Sequence, residues 1–358
     1  MSTSERLVPL PEVKRFIVDC LMKVGANRGP ALEMAELLAA ADYRGHYSHG
    51  MNRVDRYVND IQKKIVEPNA TPVILQETEA TALVDGRNAL GATVGNFCMK
   101  VAMEKAHKSG VGWVVARGSN HYGIAGWYAM QAMEKGLMGL SFSNASPSMT
   151  PTRAKDAAMG ANPLAVAAPA KDGDAFVLDM ATTAVAVGKV EVQKRKGESI
   201  PEGWALDFQG KNTTDPDEAL RAGKMLPVGG LETTSGYKGY GLSMAVELFC
   251  GILGGALFGP NIGQWFTNTT EANLGQCFIA IDPECFAPGF GGRLSELMNY
   301  LRNMEPINPS KPVLVPGDPE RIHMKLVDEE GGIRYHENQI KAWMVLAKTL
   351  GVNPINVM

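Results

Sequence analysis

The chain of 358 residues contains only five cysteines, no long apolar run and no large excess of either charge. The cysteines include no CxxC pair, so the sequence predicts free thiols in a reducing compartment rather than disulfides or a zinc cage. The longest apolar stretch, 248–258, is shorter than the ~20 residues that a membrane helix needs. The net charge of −3 and the polar residues 1–6 indicate neither a nucleic-acid surface nor a secretory signal. We therefore expect a cytoplasmic protein with no nucleic-acid or membrane partner.

Three motifs of common enzyme sites are also missing. No GxGxxG opens a helix after a strand, so a Rossmann dinucleotide fold is not supported. The phosphate-loop motif GxxxxGK(S/T) and the nucleophile-elbow motif GxSxG are absent as well. These absences argue against a phosphate-loop nucleotidase and against a serine hydrolase of the elbow type.

The N-terminal part of the chain has the apolar spacing of amphipathic helices. Its first stripe ends at Gly25 and consists of Val13, Phe16, Ile17, Cys20, Leu21 and Val24. A second helix is predicted over 31–43 and a third from Met51. Residues 65–80 are rich in Pro, Thr and Asn, and are predicted to be a linker.

From Thr81 onward, short β-rich runs alternate with helix-like stretches, which favours an α/β lobe. Strands are predicted over 81–84, 111–115, 138–142, 164–168, 176–178 and 276–282. Helices are predicted over 94–109, 124–135, 238–253, 294–304 and 340–350, and the polar section 197–234 is predicted to be loop. We place an N-terminal helical part at 1–75, the α/β lobe at 76–300, and a segment returning to the helical lobe at 301–358.

A first polar group lies before the third predicted helix, in the run Arg44-Gly-His-Tyr-Ser-His-Gly-Met-Asn-Arg53. His49 at the mouth of that helix and Arg53 in its first turn would place an imidazole beside a guanidinium at a helix N-terminus. Imidazole moves protons near neutral pH, and the fork of arginine binds carboxylates. The group indicates a site for a carboxylate beside a carbonyl or hydroxyl, with Ser48 orienting His49 or the substrate. From spacing alone, a solvated turn stays an open alternative.

The same region has a metal-binding alternative. His46 and His49 are three residues apart, and His121 with Asp42 could complete a ligand set, as in a metal-dependent hydrolase. No HExxH or CxxC motif accompanies these residues, so no metal ligand is assigned.

A second polar group, Arg117-Gly-Ser-Asn-His-Tyr-Gly-Ile-Ala-Gly-Trp127, follows a predicted strand and precedes a predicted helix. Open α/β sheets place ligand chemistry at such strand ends. Asn120 and Tyr122 could orient the ring of His121 and fix its tautomer, although a structural histidine is the alternative.

Four turn-rich segments could contact a nucleotide: 160–164, 178–183, 235–241 and 315–319. Asp179 ends a predicted strand, and Lys238 lies among glycines before a long helix, so open amides and a cation could meet a phosphate or a ribose. Taken singly, each segment is more simply a turn.

Taken in order, these motifs resemble the malate/L-lactate dehydrogenase family that includes ureidoglycolate dehydrogenases and diketogulonate reductases. The resemblance covers about residues 10–350 and rests on YRGHYSHGMNR, GSNHYGIAGWY, GANPL, LDMATT, YKGYG and PGDP. It implies a non-Rossmann α/β fold that holds NAD or NADP in an extended site. It also implies homodimers, or dimers of dimers, in which partner residues complete that site.

The resemblance further implies residue roles. The family's proton-transferring histidines match His49 and His121, and its carboxylate-binding arginine matches Arg53. Cofactor contacts are implied at Ala145, Asp179, Met180, Ala181, Lys238, Gly239, Gly317, Asp318 and Pro319.

The expected activity is the interconversion of a small 2-hydroxy acid and its 2-oxo acid. Malate and oxaloacetate are preferred because SNHYGIAGWY looks most like the malate dehydrogenases of the family. The pair His46-Tyr47 departs from the family pattern at the border of the substrate pocket. Alternatives are therefore a reductase of another 2-oxo or cyclic imino acid and, in a different class, the histidine-ligated hydrolase.

Overall fold

The computed structural model describes residues 5–265 and 270–358. The helices are α1 Leu10–Lys23, α2 Arg28–Tyr43, α3 Val54–Gln62, α4 Gly91–Ser109, α5 Gly126–Met133, α6 Val187–Lys196, α7 Pro216–Ala222, α8 Gly236–Glu247, α9 Phe290–Arg302, α10 Asp318–Glu330 and α11 Glu337–Leu350. The strands are β1 Glu5–Val8, β2 Val73–Glu77, β3 Thr81–Asp85, β4 Val111–Ser119, β5 Met138–Ser143, β6 Leu164–Pro169, β7 Ala175–Met180, β8 Ala205–Leu206, β9 Asn212–Thr213, β10 Lys224–Met225, β11 Leu274–Ile281 and β12 Ile333–His336.

A seven-stranded mixed sheet forms the centre of the molecule, in the order β2-β3-β4-β11-β5-β6-β7. Within it, β3 and β4 run parallel, whereas the other neighbouring strands run antiparallel. Helices α4 and α5 pack on one face, where Val94, Tyr128 and Phe278 share a core. The apolar strand β11 lies between β4 and β5 and is almost wholly buried, as expected for a central strand covered on both faces.

A second core joins the two ends of the chain. It combines apolar residues of α1, α2 and α3, such as Phe16 and Leu38, with Tyr335 and Trp343 from the C-terminal segment. Strands β1 and β12 pair antiparallel beside it. The predicted fold class, an α/β lobe with a helical lobe built from both chain ends, is confirmed. The predicted domain boundaries stay predictions.

Several elements differ from the sequence-based expectation. Strand β2 lies in the segment that was predicted to be a linker. The sequence pattern does not reveal this strand, because all of its residues are exposed and show no alternation of apolar and polar side chains. The predicted loop 197–234 contains α7 and three two-residue strands, which are too short to leave a periodic signal. The turn-rich segment predicted at 315–319 contains the start of α10, and the proline in the first turn of that helix is also a helix-start signal. Helix α6 has no counterpart among the predicted elements.

Two further predictions concern the cysteines and membrane-spanning helices. The five cysteines are free thiols, four of them buried and Cys285 exposed. No helix in the described parts of the chain is long and apolar enough to cross a membrane.

Candidate active site

A cavity of about 720 Å³ brings the two histidine motifs together. Its walls come from the turn after α2, the loop after β4, the ends of β5 and β7, and the start of α6. Eight of the predicted site residues line this cavity: Ser48, His49, Arg53, His121, Ala145, Asp179, Met180 and Ala181. Segments far apart in the sequence therefore meet at one site.

The turn that carries Ser48 and His49 is held by a buried carboxylate. Asp42, at the end of α2, accepts hydrogen bonds from the Met51 backbone N–H at 2.8 Å and from the Tyr335 hydroxyl at 2.6 Å. A side chain at Gly50 would collide with this carboxylate, so only glycine fits there. Burial raises the pKa of Asp42 to about 7, against the lowering effect of those two donors.

Ser48 and His49 lie in the first of two short 3-10 turns, Tyr47–His49 and Met51–Arg53, and α3 starts directly after the second one, at Val54. The expected helix start near Met51 is therefore three residues too early, and Arg53 is the N-cap residue of α3 instead of lying in its first turn. The Ser48 hydroxyl lies 2.9 Å from Nδ1 of His49. Arg53 donates from Nε to the Ser48 carbonyl at 2.6 Å. These contacts fix the imidazole and the guanidinium side by side on the cavity wall.

His121 lies in the loop after β4, between two other rings. Its ring stacks on Trp265 at 4.0 Å between centroids and 13° between planes. The ring of His49 is near-parallel to it at 5.8 Å and 16°. The Tyr57 hydroxyl lies 2.6 Å from Nδ1 of His121, and the Gly123 backbone N–H donates to the same nitrogen at 3.4 Å. Because a backbone N–H can only donate, Nδ1 is an acceptor, and neutral His121 carries its hydrogen on Nε2.

Both histidines are neutral at physiological pH. Burial lowers the pKa of His49 to about 4, and the positive charge of Arg53 lowers it further. Burial also lowers the pKa of His121 well below its usual value, with His49 and Arg53 adding to the effect. A neutral imidazole can accept a proton from a bound hydroxyl, so the pair suits base catalysis of an oxidation.

The opposite wall is formed by strand ends. Asp179, near the end of β7, accepts a hydrogen bond from the backbone N–H of Gly126, the first residue of α5, at 2.8 Å. Burial raises the pKa of Asp179, partly offset by the His46 and Arg44 charges and by the Gly126 bond. The Ala145 N–H donates to the Asn162 side chain at 3.1 Å, which fixes the backbone at the end of β5.

Comparison with known proteins assigns this arrangement to a family. The model of the malate/L-lactate dehydrogenase family matches residues 8–343. The chain belongs to the malate/L-lactate dehydrogenase family. A malate dehydrogenase of Pyrococcus abyssi is 43% identical over 299 residues, which is 83% of this chain and 82% of that protein.

Two more relatives and one solved structure extend this result. An L-sulfolactate dehydrogenase of Methanocaldococcus jannaschii is 37% identical, over 95% of this chain and 96% of that protein. An NAD⁺-dependent ureidoglycolate dehydrogenase of Escherichia coli is 33% identical, over 88% and 89%. The crystal structure of malate dehydrogenase from Entamoeba histolytica has a TM-score of 0.92 at 32% identity, covering 98% of this chain and 99% of that one.

The family, the enzyme class and the cofactor class predicted from the sequence are therefore confirmed: the chain is an NAD(P)-dependent dehydrogenase of 2-hydroxy acids. The rival prediction of a metal-dependent hydrolase finds no support. Within residues 5–265 and 270–358, no group of three His, Cys, Asp or Glu side chains is arranged to hold a metal ion.

Five predicted cofactor contacts do not line this cavity. Lys238 and Gly239 lie in α8, where Gly239 packs closely against Val228, itself a cavity residue. Gly317, Asp318 and Pro319 lie at the start of α10. These roles stay predictions.

The start of α10 contains a network of charges. Asp318 accepts hydrogen bonds from Arg302 at 2.8 Å and from Arg321 at 2.5 Å, and these contacts lower its pKa although burial opposes them. Arg302 also reaches Asp174, just before β7. Arg302 therefore joins α9 and α10 to the β7 side of the sheet.

Three residues that hold the His121 ring are not predicted from the sequence. Tyr57 contacts its Nδ1, Trp265 stacks on it, and Asp60 binds Trp265. The Trp265 indole N–H donates to Asp60 at 3.0 Å, and Arg56 lies over the indole ring. Tyr57 could have been found, because it lies four residues after Arg53 and so shares its helix face. Trp265 gives no such signal, since it is far from both motifs in the sequence.

Proposed function

We propose that this enzyme interconverts malate and oxaloacetate, with Ser48, His49, Arg53 and His121 as its substrate-handling residues. The observation that carries the proposal is the placement of two neutral histidines beside an arginine in one cavity. Such a set binds a carboxylate and exchanges a proton at the neighbouring carbon's oxygen.

The residues present fit a nicotinamide dinucleotide. The cavity is within the range of about 300–1,000 Å³ that ligand sites have. Its lining continues from the histidines to Ala145 and 179–181, with polar groups at Ser146, Ser148 and Thr183. Those residues would hold the cofactor, which accepts a hydride from malate or supplies one to oxaloacetate.

In the oxidation direction, Arg53 binds the carboxylate next to the reacting carbon. His121 donates a hydrogen bond from Nε2 to the substrate 2-oxygen, because its Nδ1 is already an acceptor. His49 takes the hydroxyl proton as the C–H hydride leaves, while Ser48 orients the His49 ring through Nδ1. In reduction, the proton returns from His49 to the oxygen.

A panel of 2-oxo acids tests this function. Oxaloacetate, 3-sulfopyruvate, pyruvate and a cyclic imino acid are assayed with NADH and with NADPH by loss of nicotinamide absorbance. The expected result is the highest kcat/KM with oxaloacetate. Preference for the cyclic imino acid would support the alternative reductase, and no turnover of any of them would contradict the proposed activity.

The homodimer implied by the resemblance is also proposed. Along α8 and the turn after it, one face exposes four large apolar side chains, Tyr237, Met244, Leu248 and Ile252, each about half exposed. Their spacing of seven, four and four residues puts them on one helical stripe, which a second copy would cover. We expect a dimer by sedimentation, and Leu248→Glu should shift it toward monomer.

A further inference from the structure

Two positively charged side chains on different elements line the cavity. Among the described residues, the arginine and lysine side chains that line it are Arg53 and Lys189. Arg53 lies beside the histidines, as described above, whereas Lys189 lies in the first turn of α6. A substrate bound beside the histidines therefore has a second positively charged side chain on the lining of the same cavity.

Helix α6 is packed directly over the Ser48 turn. A side chain at Gly188 would bring its Cβ to 3.2 Å from the Cβ of Ser48, so the two backbones are in close approach. Val190, two residues on, is buried in a separate apolar cluster with Ile200 and Met225, which anchors the helix. Since neighbouring Cα atoms are about 3.8 Å apart, Lys189 is placed within one residue of the Ser48 contact.

The ammonium of Lys189 is not neutralised within the part of the chain that the structure describes. No carboxylate oxygen there lies within 4.0 Å of it, whereas Lys194 on the same helix pairs with Asp217 at 2.6 Å. Glu191 also lines the cavity, but residues two apart on a helix do not face each other.

The other acids of the cavity wall already have donors. Asp60 accepts a hydrogen bond from the Trp265 indole at 3.0 Å, and Arg56 lies 3.4 Å from its other oxygen. Asp179 accepts from the Gly126 backbone. Because these carboxylates already accept hydrogen bonds or pair with arginine, they compete little with a ligand for the Lys189 ammonium.

His46 is the competing candidate for a second positive charge. It lines the cavity, but its Nε2 lies 3.6 Å from Glu320, which is where a charge on His46 would be balanced. The flexible stem of a lysine lets its ammonium follow an anion. Lys189 is therefore better suited than His46 to bind an anionic group of variable position.

We propose that Lys189 is a specificity-determining residue that binds the second anionic group of the substrate, while Arg53 binds the carboxylate next to the reacting carbon. This role rests on the proposed function and narrows its substrate class to 2-oxo and 2-hydroxy acids with two anionic groups, carboxylate or sulfonate. An acid with only one anionic group has no second anion for Lys189 to bind, so Lys189 does not increase its affinity for the enzyme.

The test compares oxaloacetate and 3-sulfopyruvate, which have two anionic groups, with pyruvate, which has one. Lys189→Met should lower kcat/KM for both two-anion acids by about tenfold, chiefly through KM, as expected for a lost charged hydrogen bond. The value for pyruvate should change less than about twofold. Lys189→Arg should restore most of the loss, since it keeps the charge.

Lys196→Met is the matched control, because Lys196 is an exposed lysine of the same helix that does not line the cavity. NADH affinity, measured by fluorescence titration, should be unchanged in Lys189→Met. An equal loss with all three acids together with weaker NADH binding would assign Lys189 to the cofactor and overturn the proposal. An unchanged ratio of oxaloacetate to pyruvate in an active variant would overturn it too. If the unmodified enzyme turns over no 2-oxo acid, the proposed function itself fails.

Discussion

Two segments of the cavity wall are held in place by different kinds of hydrogen bonds. They are the turn after α2, here called the Ser48–His49 wall, and the loop after β4, here called the His121 wall. The first depends on the buried carboxylate of Asp42, bound by a residue of the C-terminal segment. The second depends on neutral amides: Asn120 donates to Asn88 at 2.9 Å, and Gln276 donates to the Asn120 carbonyl at 2.9 Å.

This difference separates the two walls in their response to pH. Amide side chains do not titrate, so these hydrogen bonds through Asn120 persist at any ordinary pH. A carboxylate whose pKa is raised toward neutrality changes its protonation state in the working range. The proposed proton-transfer role of each histidine can therefore be tested separately from the hydrogen bonds that hold its part of the cavity.

The largest effects are expected from removing either histidine. His49→Ala and His121→Ala should each lower kcat by ~10²–10⁴-fold, the usual contribution of an oriented proton-transfer group. The double variant should lose little more than the worse single variant, because groups acting as one unit are not additive. Steady-state kinetics with oxaloacetate and NADH measures this, and His107→Ala, an exposed site on α4, is the control. Near-normal turnover in either single variant would break the proposed division of roles.

Arg53→Met should act mainly on substrate binding. Loss of a charged hydrogen bond costs about 1.5–3 kcal/mol, so KM for oxaloacetate should rise by roughly 10–100-fold. Arg53→Lys should recover only part of the loss, because an ammonium cannot form the two-pronged contact. An unchanged KM for oxaloacetate in Arg53→Met would exclude the carboxylate-binding role.

The parts of the site that the sequence revealed are those with unusual chemistry in a short stretch. Ser48, His49 and Arg53 lie within six residues, and His121 lies in a comparable polar run, so residue type and order were enough. The fold class followed from helical spacing at the start of the chain and strand–helix alternation after it.

What the sequence could not show depends on packing between distant segments. Trp265 becomes part of the site only because the chain folds its ring onto His121. Lys189 lies in a helix whose exposed, mixed sequence has a weak apolar pattern. Asp42 looks like an ordinary helix residue until Tyr335, 293 residues later, is placed against it.

A smaller effect is expected from Tyr57→Phe on the His121 wall. The hydroxyl and the Gly123 N–H both favour neutral His121, so losing the hydroxyl should raise the pKa of His121. The acid limb of kcat/KM for malate oxidation should then move to higher pH, with kcat lowered by about 2–10-fold. Tyr43→Phe, which loses a surface contact with Asp328, should leave the pH profile unchanged. A uniform fall in kcat with no change in the pH profile would contradict positioning through Nδ1.

The smallest effect on turnover, and the clearest on stability, is expected from Asp42→Asn on the opposite wall. Because the folded pKa is about 7, the folded protein retains a proton that the unfolded chain releases above about pH 4. Stability contributed at this site should therefore fall as pH rises from about 4 to 7, and stay low above it. Asparagine is neutral throughout and still offers an oxygen to Met51 and Tyr335, so this slope should disappear in the variant.

Melting temperatures between pH 5 and 8 measure this slope. The wild type should lose about 1–2 °C relative to Asp42→Asn over that range for each kcal/mol of the effect. Asp328→Asn, an exposed carboxylate that also accepts from a tyrosine, should follow the wild type. Parallel curves for wild type and Asp42→Asn would mean that the Ser48–His49 wall is as indifferent to pH as the amide-held wall, and the contrast between them would disappear.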